Sequence, residues 1–167
     1  MDFLELAKSR YSTRDFSNRQ VEDEKLKKIL EAGRIAPTAK NMQPIKILVV
    51  KDNTKLNDIL FNYNAPVNLI VCCDTNNTSK ISIDNNYDCG DMDASIVACH
   101  MMLEATDLKV NNIWLRGFDS NKIREVLNQP NNIKPVCVIA LGYDNEGYTP
   151  NERHYIRKEI DEIVEFI

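Results

Sequence analysis

From Asp91 onward the apolar residues Ala94, Val97, Ala98, Met101, Met102 and Ala105 fall on one stripe of helical period. A helix with such a stripe has to be buried, so whatever else the chain forms must pack around it. The segments on either side are short and rich in β-branched residues, as the strands of a sheet would be. Residues 45–50, Ile-Lys-Ile-Leu-Val-Val, predict one strand, residues 67–73 a second, residues 110–115 a third and residues 135–141 a fourth.

Helical spacing occurs twice more. Val21 opens a segment with acids at Glu22, Asp23 and Glu24, where they favour the positive end of a helix dipole, followed by Leu26, Ile29, Leu30 and Gly33. That helix is expected to reach about Ile35 and to be ended by Pro37, with residues 38–44 a polar loop. Asp119 or Ser120 is placed to cap a helix carrying Ile123, Val126 and Leu127. Residues 160–167 fit a helix or an extended segment equally well. No repeat or Pro/Gly linker divides the chain, so residues 1–167 are read as a single domain of mixed α and β structure. With only 5 Gly, the pairs Asn76-Asn77, Asn85-Asn86, Asn111-Asn112 and Asn131-Asn132 are read as turns, because Asn tolerates left-handed backbone.

Composition then removes several function classes. The 43% hydrophobic content of 167 residues argues against disorder and gives enough core to need no disulfide staple. Five Cys without a CxxC pair suit reduced thiols in a cytoplasmic setting. Residues 1–10 carry Asp2 and Glu5 and no apolar run of signal-peptide kind, and no segment approaches membrane-spanning length. Twenty-one basic residues against 25 acidic ones give a net charge of −4, with the cations scattered, so nucleic acid is not an expected partner. No GxxxxGK[ST] or GxGxxG is present, and two His with scattered Cys lack metal-ligand spacing, so no metal is expected.

Two polar clusters remain, each at the boundary of an apolar element. The first, Ser9-Arg10-Tyr11-Ser12-Thr13-Arg14-Asp15-Phe16, has two cations four apart with hydroxyls between them, donors that suit a phosphate. Taken alone it also reads as a solvated helix end. The second, Ala36-Pro37-Thr38-Ala39-Lys40-Asn41-Met42-Gln43-Pro44, sets two amides where they can meet the edge of a planar heterocycle, although alone it is better read as a Pro-bounded turn between helix and strand.

Together and in this order, the clusters resemble the FMN-dependent nitroreductase family, whose members carry R-[RH]-S-x-[RK]-x-F and, one helix later, A-P-[ST]-x-x-N-x-Q-P. The resemblance continues through Ala65-Pro66-Val67, the helix of residues 91–105, Trp114-Leu115-Arg116-Gly117-Phe118-Asp119, Ala140-Leu141-Gly142-Tyr143 and Arg157-Lys158. It implies an α+β fold with a mixed central sheet flanked by helices, assembled as an intertwined homodimer. It also implies an enzyme that passes hydride from NADH or NADPH through FMN to a nitroaromatic, quinone or related acceptor, in ping-pong fashion. The alternative is a flavin-binding storage or sensing protein that kept the pocket.

Carried over to this chain, the resemblance assigns Arg10, Ser12 and Arg157 to the FMN phosphate and ribityl end, with Tyr11 beside them. Arg14 would be the catalytic cation, near the N1–O2 edge of the flavin. Pro37, Thr38, Ala39, Asn41 and Gln43 would line the ring and ribityl chain. Leu115, Arg116 and Gly117 would come from the opposite protomer or face, with Arg116 either selecting an acidic substrate or packing its stem at the surface. Residues 162–167 would cross to the partner, and Met101 and Met102 would lie at the dimer core. Two departures weaken phosphate neutralisation: Tyr11 replaces an Arg or His, and Tyr155 stands where many members have a basic residue, leaving His154 or Lys158 to compensate. Residues 107–113 lack the family's Gly-Leu-Gly.

Overall fold

The structure, a computed structural model, describes residues 2–56 and 58–167. In chain order the elements are α1 (Phe3–Ser9), α2 (Asp23–Arg34), β1 (Ile45–Val50), β2 (Val67–Asp74), β3 (Lys80–Ile81), β4 (Tyr87–Asp88), α3 (Gly90–Asp107), β5 (Asn111–Leu115), α4 (Ser120–Val126) and β6 (Ile133–Gly142). Single 3₁₀ turns lie at Ala39–Asn41, Asn53–Lys55, Glu152–His154 and Ile160–Glu162. The predicted strands and the buried helix are all present. The β3–β4 hairpin was not expected, and the short α1 ends at Ser9, where the first polar cluster taken alone reads as a helix end. The C-terminal segment is neither regular helix nor strand, since its only regular element is the turn Ile160–Glu162.

The main sheet has the order β1-β2-β6-β5 with every neighbouring pair antiparallel. The parallel part of the expected mixed sheet is one isolated bridge, Ser12 to Asn112, along the outer edge of β5. Strand β2 is central and buried on both faces, and its side chains alternate between two cores with the period of the pleat. Val67, Leu69, Val71 and Cys73 face α2 and α3, while Ile70 and Cys72 face α4 and the segment holding Leu56 and Leu60. Strand β6 follows the same rule until the register shifts opposite Val71 and Cys72. Val136 is the extra residue, so Val136 and Cys137 both belong to the α2–α3 core. That irregularity accommodates Pro135, which lacks a ladder donor, inside an interior strand.

Helix α3 buries the predicted stripe: Ala94, Val97, Ala98, Met101, Met102 and Ala105 are all buried. Helix α2 lies against it so closely that a Cβ on Gly33 would come 2.9 Å from the Met101 thioether. The start of α2 is tied to the end of β6, since the Tyr143 hydroxyl donates to Glu22 and the Lys25 ammonium donates to Tyr143 Oη at 3.0 Å. These bonds, with Arg19 at 2.7 Å, hold the Glu22 carboxyl at about 2. Of the Asn pairs, Asn85 and Asn86 do adopt left-handed backbone, with φ of 47° and 59°. Asn111 and Asn112 instead open β5, where Asn112 is buried and donates to Met102 O and Thr106 Oγ1, both at 3.2 Å. A buried amide with partners of its own is worth more to the fold there than a turn.

Four of the cysteines, Cys72, Cys73, Cys89 and Cys137, are buried and Cys99 is exposed. Burial pushes the Cys72 and Cys137 thiols up to about 12 and Cys73 to about 11.

Gly142 ends β6 beneath the segment that follows α1. A Cβ there would lie 2.7 Å from Pro66 Cδ and 2.8 Å from the buried ring of Phe16. Gly142→Ala is therefore expected to lower stability by roughly 1–3 kcal/mol, read from the midpoint of urea unfolding. An unchanged midpoint would show that the Phe16 and Pro66 rings give way freely.

Candidate functional site

Residues 10–17 leave α1 and cross the outer side of β5 and the end of β6 as an extended strap. The strap is fixed by backbone pairing: Thr13 N–H donates to Asn112 O at 3.1 Å, Phe16 bridges Asp144, and Ser17 N–H donates to Tyr143 O at 2.8 Å. Thr13 and Phe16 turn inward and are buried, which leaves Ser12 and Arg14 on the other side. A second irregular segment follows β6. It turns at residues 145–148, forms the 3₁₀ turn Glu152–His154 capped by the Asn151 side chain, which accepts from Arg153 N–H at 3.0 Å, and runs on past Arg157.

Between the two segments is a cavity of about 300 Å³. The strap contributes Arg10, Tyr11, Ser12 and Arg14, and the second segment contributes Asn151, Arg153, His154 and Arg157. Four of the chain's eight arginines thus share one cavity in a chain of net charge −4. Among the described residues none of the four takes part in an ion pair. Their side-chain bonds are to backbone carbonyls: Arg14 Nη1 to Ser12 O at 3.4 Å, and Arg157 Nη1 to Ile156 O at 2.7 Å and Arg153 O at 3.4 Å. Uncompensated guanidiniums beside a hydroxyl and an imidazole are the donor set for a phosphate monoester, with planar forks that match its oxygens. The residues present therefore fit the phosphate end of FMN.

Tyr11 contributes no charge to this cavity. Its hydroxyl donates to Asp144 Oδ2, while Asn111 Nδ2 donates to Tyr11 Oη at 2.8 Å and to Asp144 Oδ2 at 3.2 Å. Burial first, then the bond to Asp144, raises the phenol from 10 to about 12. The ring lies 6.3 Å from that of Tyr148 and 6.1 Å from that of His154.

The second polar cluster forms a tight loop elsewhere in the chain. Ala39 N–H donates to Asp93 Oδ1 at 2.8 Å and Gln43 N–H to Thr38 Oγ1 at 3.0 Å. Lys40, Asn41 and Gln43 are held at φ of 52°, 53° and 52°. Left-handed backbone at three non-glycine residues is strain of the kind that persists where surrounding structure imposes it. Thr38 and Gln43 line a smaller cavity of about 190 Å³ over Ala36, Ile45 and Ile47. No lining residue is common to this cavity and the cationic one. Pro37, Ala39 and Asn41 line neither, and the Gln43 amide donates within its own loop to Asn41 O at 3.4 Å.

Leu115, at the end of β5, packs toward the core holding Leu56 and Ile70, Arg116 is exposed with its guanidinium 5.0 Å from the centre of the Phe118 ring, and Gly117 has open space around it. The structure thus brings Arg10, Tyr11, Ser12, Arg14 and Arg157 together in one chain and leaves the other predicted residues apart from them. Of the two candidates for compensation, His154 lines the cavity and Lys158 does not. Arg153 and Asn151 were missed; the signal for Arg153 was a second Arg four residues before Arg157 in a segment with no regular period. Among the described residues no group of three or more His, Cys, Asp or Glu is placed to hold a metal ion, and no helix is long and apolar enough to cross a membrane.

Because folding raises the Tyr11 pKa from 10 to about 12, the fold favours the neutral phenol. The associated stabilisation is complete below pH 10 and is lost as pH rises through about 12. A phenolate titration followed in the ultraviolet should show one tyrosine ionising near pH 12 that is absent from Tyr11→Phe and earlier in Asp144→Asn. A titration of Tyr11 at an ordinary pH would contradict the bonded arrangement.

Comparison with known proteins bears on the whole chain. A protein of Archaeoglobus fulgidus with the provisional name NADH dehydrogenase/NAD(P)H nitroreductase is 32% identical over 154 residues, covering 86% of this chain and 86% of that one. A nitroreductase family protein of Clostridium difficile 630 has the same fold with a TM-score of 0.93 and 38% identity, over 99% of this chain and 98% of that one. An FMN-dependent nitroreductase of Clostridium difficile R20291 superposes with a TM-score of 0.79 at 27% identity, over 98% of both chains. The sequence profile described as Nitroreductase family matches residues 7–62 and 60–143, so the chain belongs to the nitroreductase family of oxidoreductases.

Proposed function

We propose that this chain is an FMN-dependent oxidoreductase that takes hydride from NADH or NADPH and delivers it to a nitroaromatic, quinone or related acceptor at one site in turn, in the cytoplasm. The observation that carries the reading is the cavity lined by four arginines that make no ion pair among the described residues. The names of the relatives support the nicotinamide donor, and the R20291 protein supports the cofactor.

Bound FMN would supply the two-electron carrier, accepting and giving hydride at N5. Arg10, Arg157 and Arg153 neutralise and orient the phosphate, with the Ser12 hydroxyl as a short donor and His154 beside it. Arg153 and His154 supply what Tyr11 and Tyr155 do not. Arg14 would be the fixed cation beside the bound flavin, where a positive charge would favour the reduced form over the oxidised one. The loop holding Pro37, Thr38, Ala39, Asn41 and Gln43, and the turn of Leu115, Arg116 and Gly117, complete the site from a second copy.

Two features support that homodimer. One chain separates the two polar clusters into different cavities. It also leaves Ile156, Ile160, Ile163, Phe166 and Ile167 exposed along the C-terminal segment, with Phe3 and Leu4 exposed on α1, an amount of apolar surface that needs cover.

FMN should bind more tightly than riboflavin, since charge-assisted hydrogen bonds to phosphate are worth roughly 1.5–3 kcal/mol each. Arg10→Ala should lose about one to two decades of FMN affinity, at about 1.4 kcal/mol per decade. Anaerobic NADH or NADPH should bleach the flavin colour; binding without bleaching would leave a storage or sensing role instead. A redox titration of Arg14→Gln should give a lower midpoint than the unsubstituted protein, and an unchanged midpoint would remove Arg14 from the chemistry. Deleting residues 162–167 should cost both dimer and FMN in sedimentation with absorbance detection; a truncated dimer with full flavin would show that the segment supports neither.

A further inference from the structure

We infer that Tyr148 is a positioning residue for the anion cavity, holding the strap of residues 12–14 in the shape that presents the Ser12 hydroxyl to a phosphate. Its hydroxyl accepts from Arg14 N–H at 3.1 Å and donates to Ser12 C=O at 3.1 Å. One phenol thus closes on both sides of Thr13, whose own N–H is bound to Asn112 O at 3.1 Å from the opposite side. The three backbone groups that decide where the Ser12 and Arg14 side chains leave the chain are all fixed, two of them by Tyr148.

The residue is well placed for this task. It is half-buried and stacks on Tyr11, whose hydroxyl is in turn locked to Asp144 and Asn111. It also belongs to the turn joining β6 to the segment that brings Asn151, Arg153, His154 and Arg157. The same turn is tied to the strap at Asp15, whose carboxylate accepts from Asn145 Nδ2 at 2.6 Å. Tyr148 therefore sets the distance between the two arginine-bearing segments without offering a charge itself. Guanidiniums that repel one another need such a fixed backbone, because side-chain contacts alone would let them splay into solvent before the anion arrives.

This inference rests on the reading of the cavity as the flavin phosphate site. The test compares FMN with riboflavin on flavin-free protein by fluorescence quenching. Tyr148→Phe keeps the ring and its stacking and removes only the hydroxyl. It should weaken FMN about tenfold, equivalent to about 1.4 kcal/mol, while leaving riboflavin affinity within about twofold. A general loss of structure would lower both affinities together, so the FMN to riboflavin ratio isolates positioning from folding. In a Ser12→Ala background the same substitution should no longer change the ratio, because the phosphate donor it positions is gone.

A ratio unchanged by Tyr148→Phe in a protein that otherwise prefers FMN, or a parallel loss of both flavins, overturns the positioning role alone. Equal affinities of the unsubstituted protein for FMN and riboflavin overturn the flavin-phosphate reading and this inference with it.

Discussion

Like-charge repulsion among four guanidiniums is the constraint around which the site is built. Two unit charges 4 Å apart repel by about 1 kcal/mol in water and by about 4 kcal/mol near a protein surface, so a cluster without counter-ions opposes its own formation. Here the opposition is met by backbone pairing rather than by acids. The strap carrying Arg10 and Arg14 is fastened to β5 and β6 through Thr13, Phe16 and Ser17. The segment carrying Arg153 and Arg157 starts where β6 ends. Two acids on the strap and just past β6 are engaged elsewhere: Asp15 with Asn145, Asp144 with Tyr11 and Asn111. The positive charge is left for a ligand to neutralise, and the central sheet, buried on both faces at β2, is the rigid body to which both segments are attached.

Much of the framework was legible because its signals are local. β1 spans the residues its β-branched run predicts, α3 buries the stripe read from residue 91, and Asp119 caps α4 by accepting from Asn121 and Lys122 N–H. What could not be read depends on contacts distant in sequence. Asn111 and Asn112 look like a turn until Met102, Thr106, Tyr11 and Asp144 are known to surround them. The β3–β4 hairpin has two residues in each strand and too little pattern to register. The C-terminal segment satisfied two periodicities in sequence and adopts neither in one chain. Arg10, Ser12 and Arg157 came from a family likeness; Arg153 has no motif and is found only because a 3₁₀ turn brings it to the same cavity.

The other polar cluster shows a different balance. Its loop keeps Lys40, Asn41 and Gln43 in left-handed conformations, each costing of order 1–3 kcal/mol, with no glycine to relieve them. Thr38 and the buried carboxylate of Asp93 hold it from within the same chain. Asp93 Oδ2 has no partner among the described residues, an unusual state for a buried carboxylate oxygen beside a strained loop.

The thiols carry a separate consequence, for chemical durability. Oxidation by peroxide proceeds through the thiolate, and a thiol at 11 to 12 presents about one thiolate in ten thousand to one in a hundred thousand at pH 7, against about one in a hundred for a thiol at 9. Cys72, Cys73 and Cys137 sit in the strands at the centre of the molecule, where a sulfinate would bring a charge into a packed core. The burial that makes them good packing residues also keeps them out of reach of dissolved oxidants, leaving Cys99, on the outer face of α3, as the exposed thiol where such damage costs the core nothing.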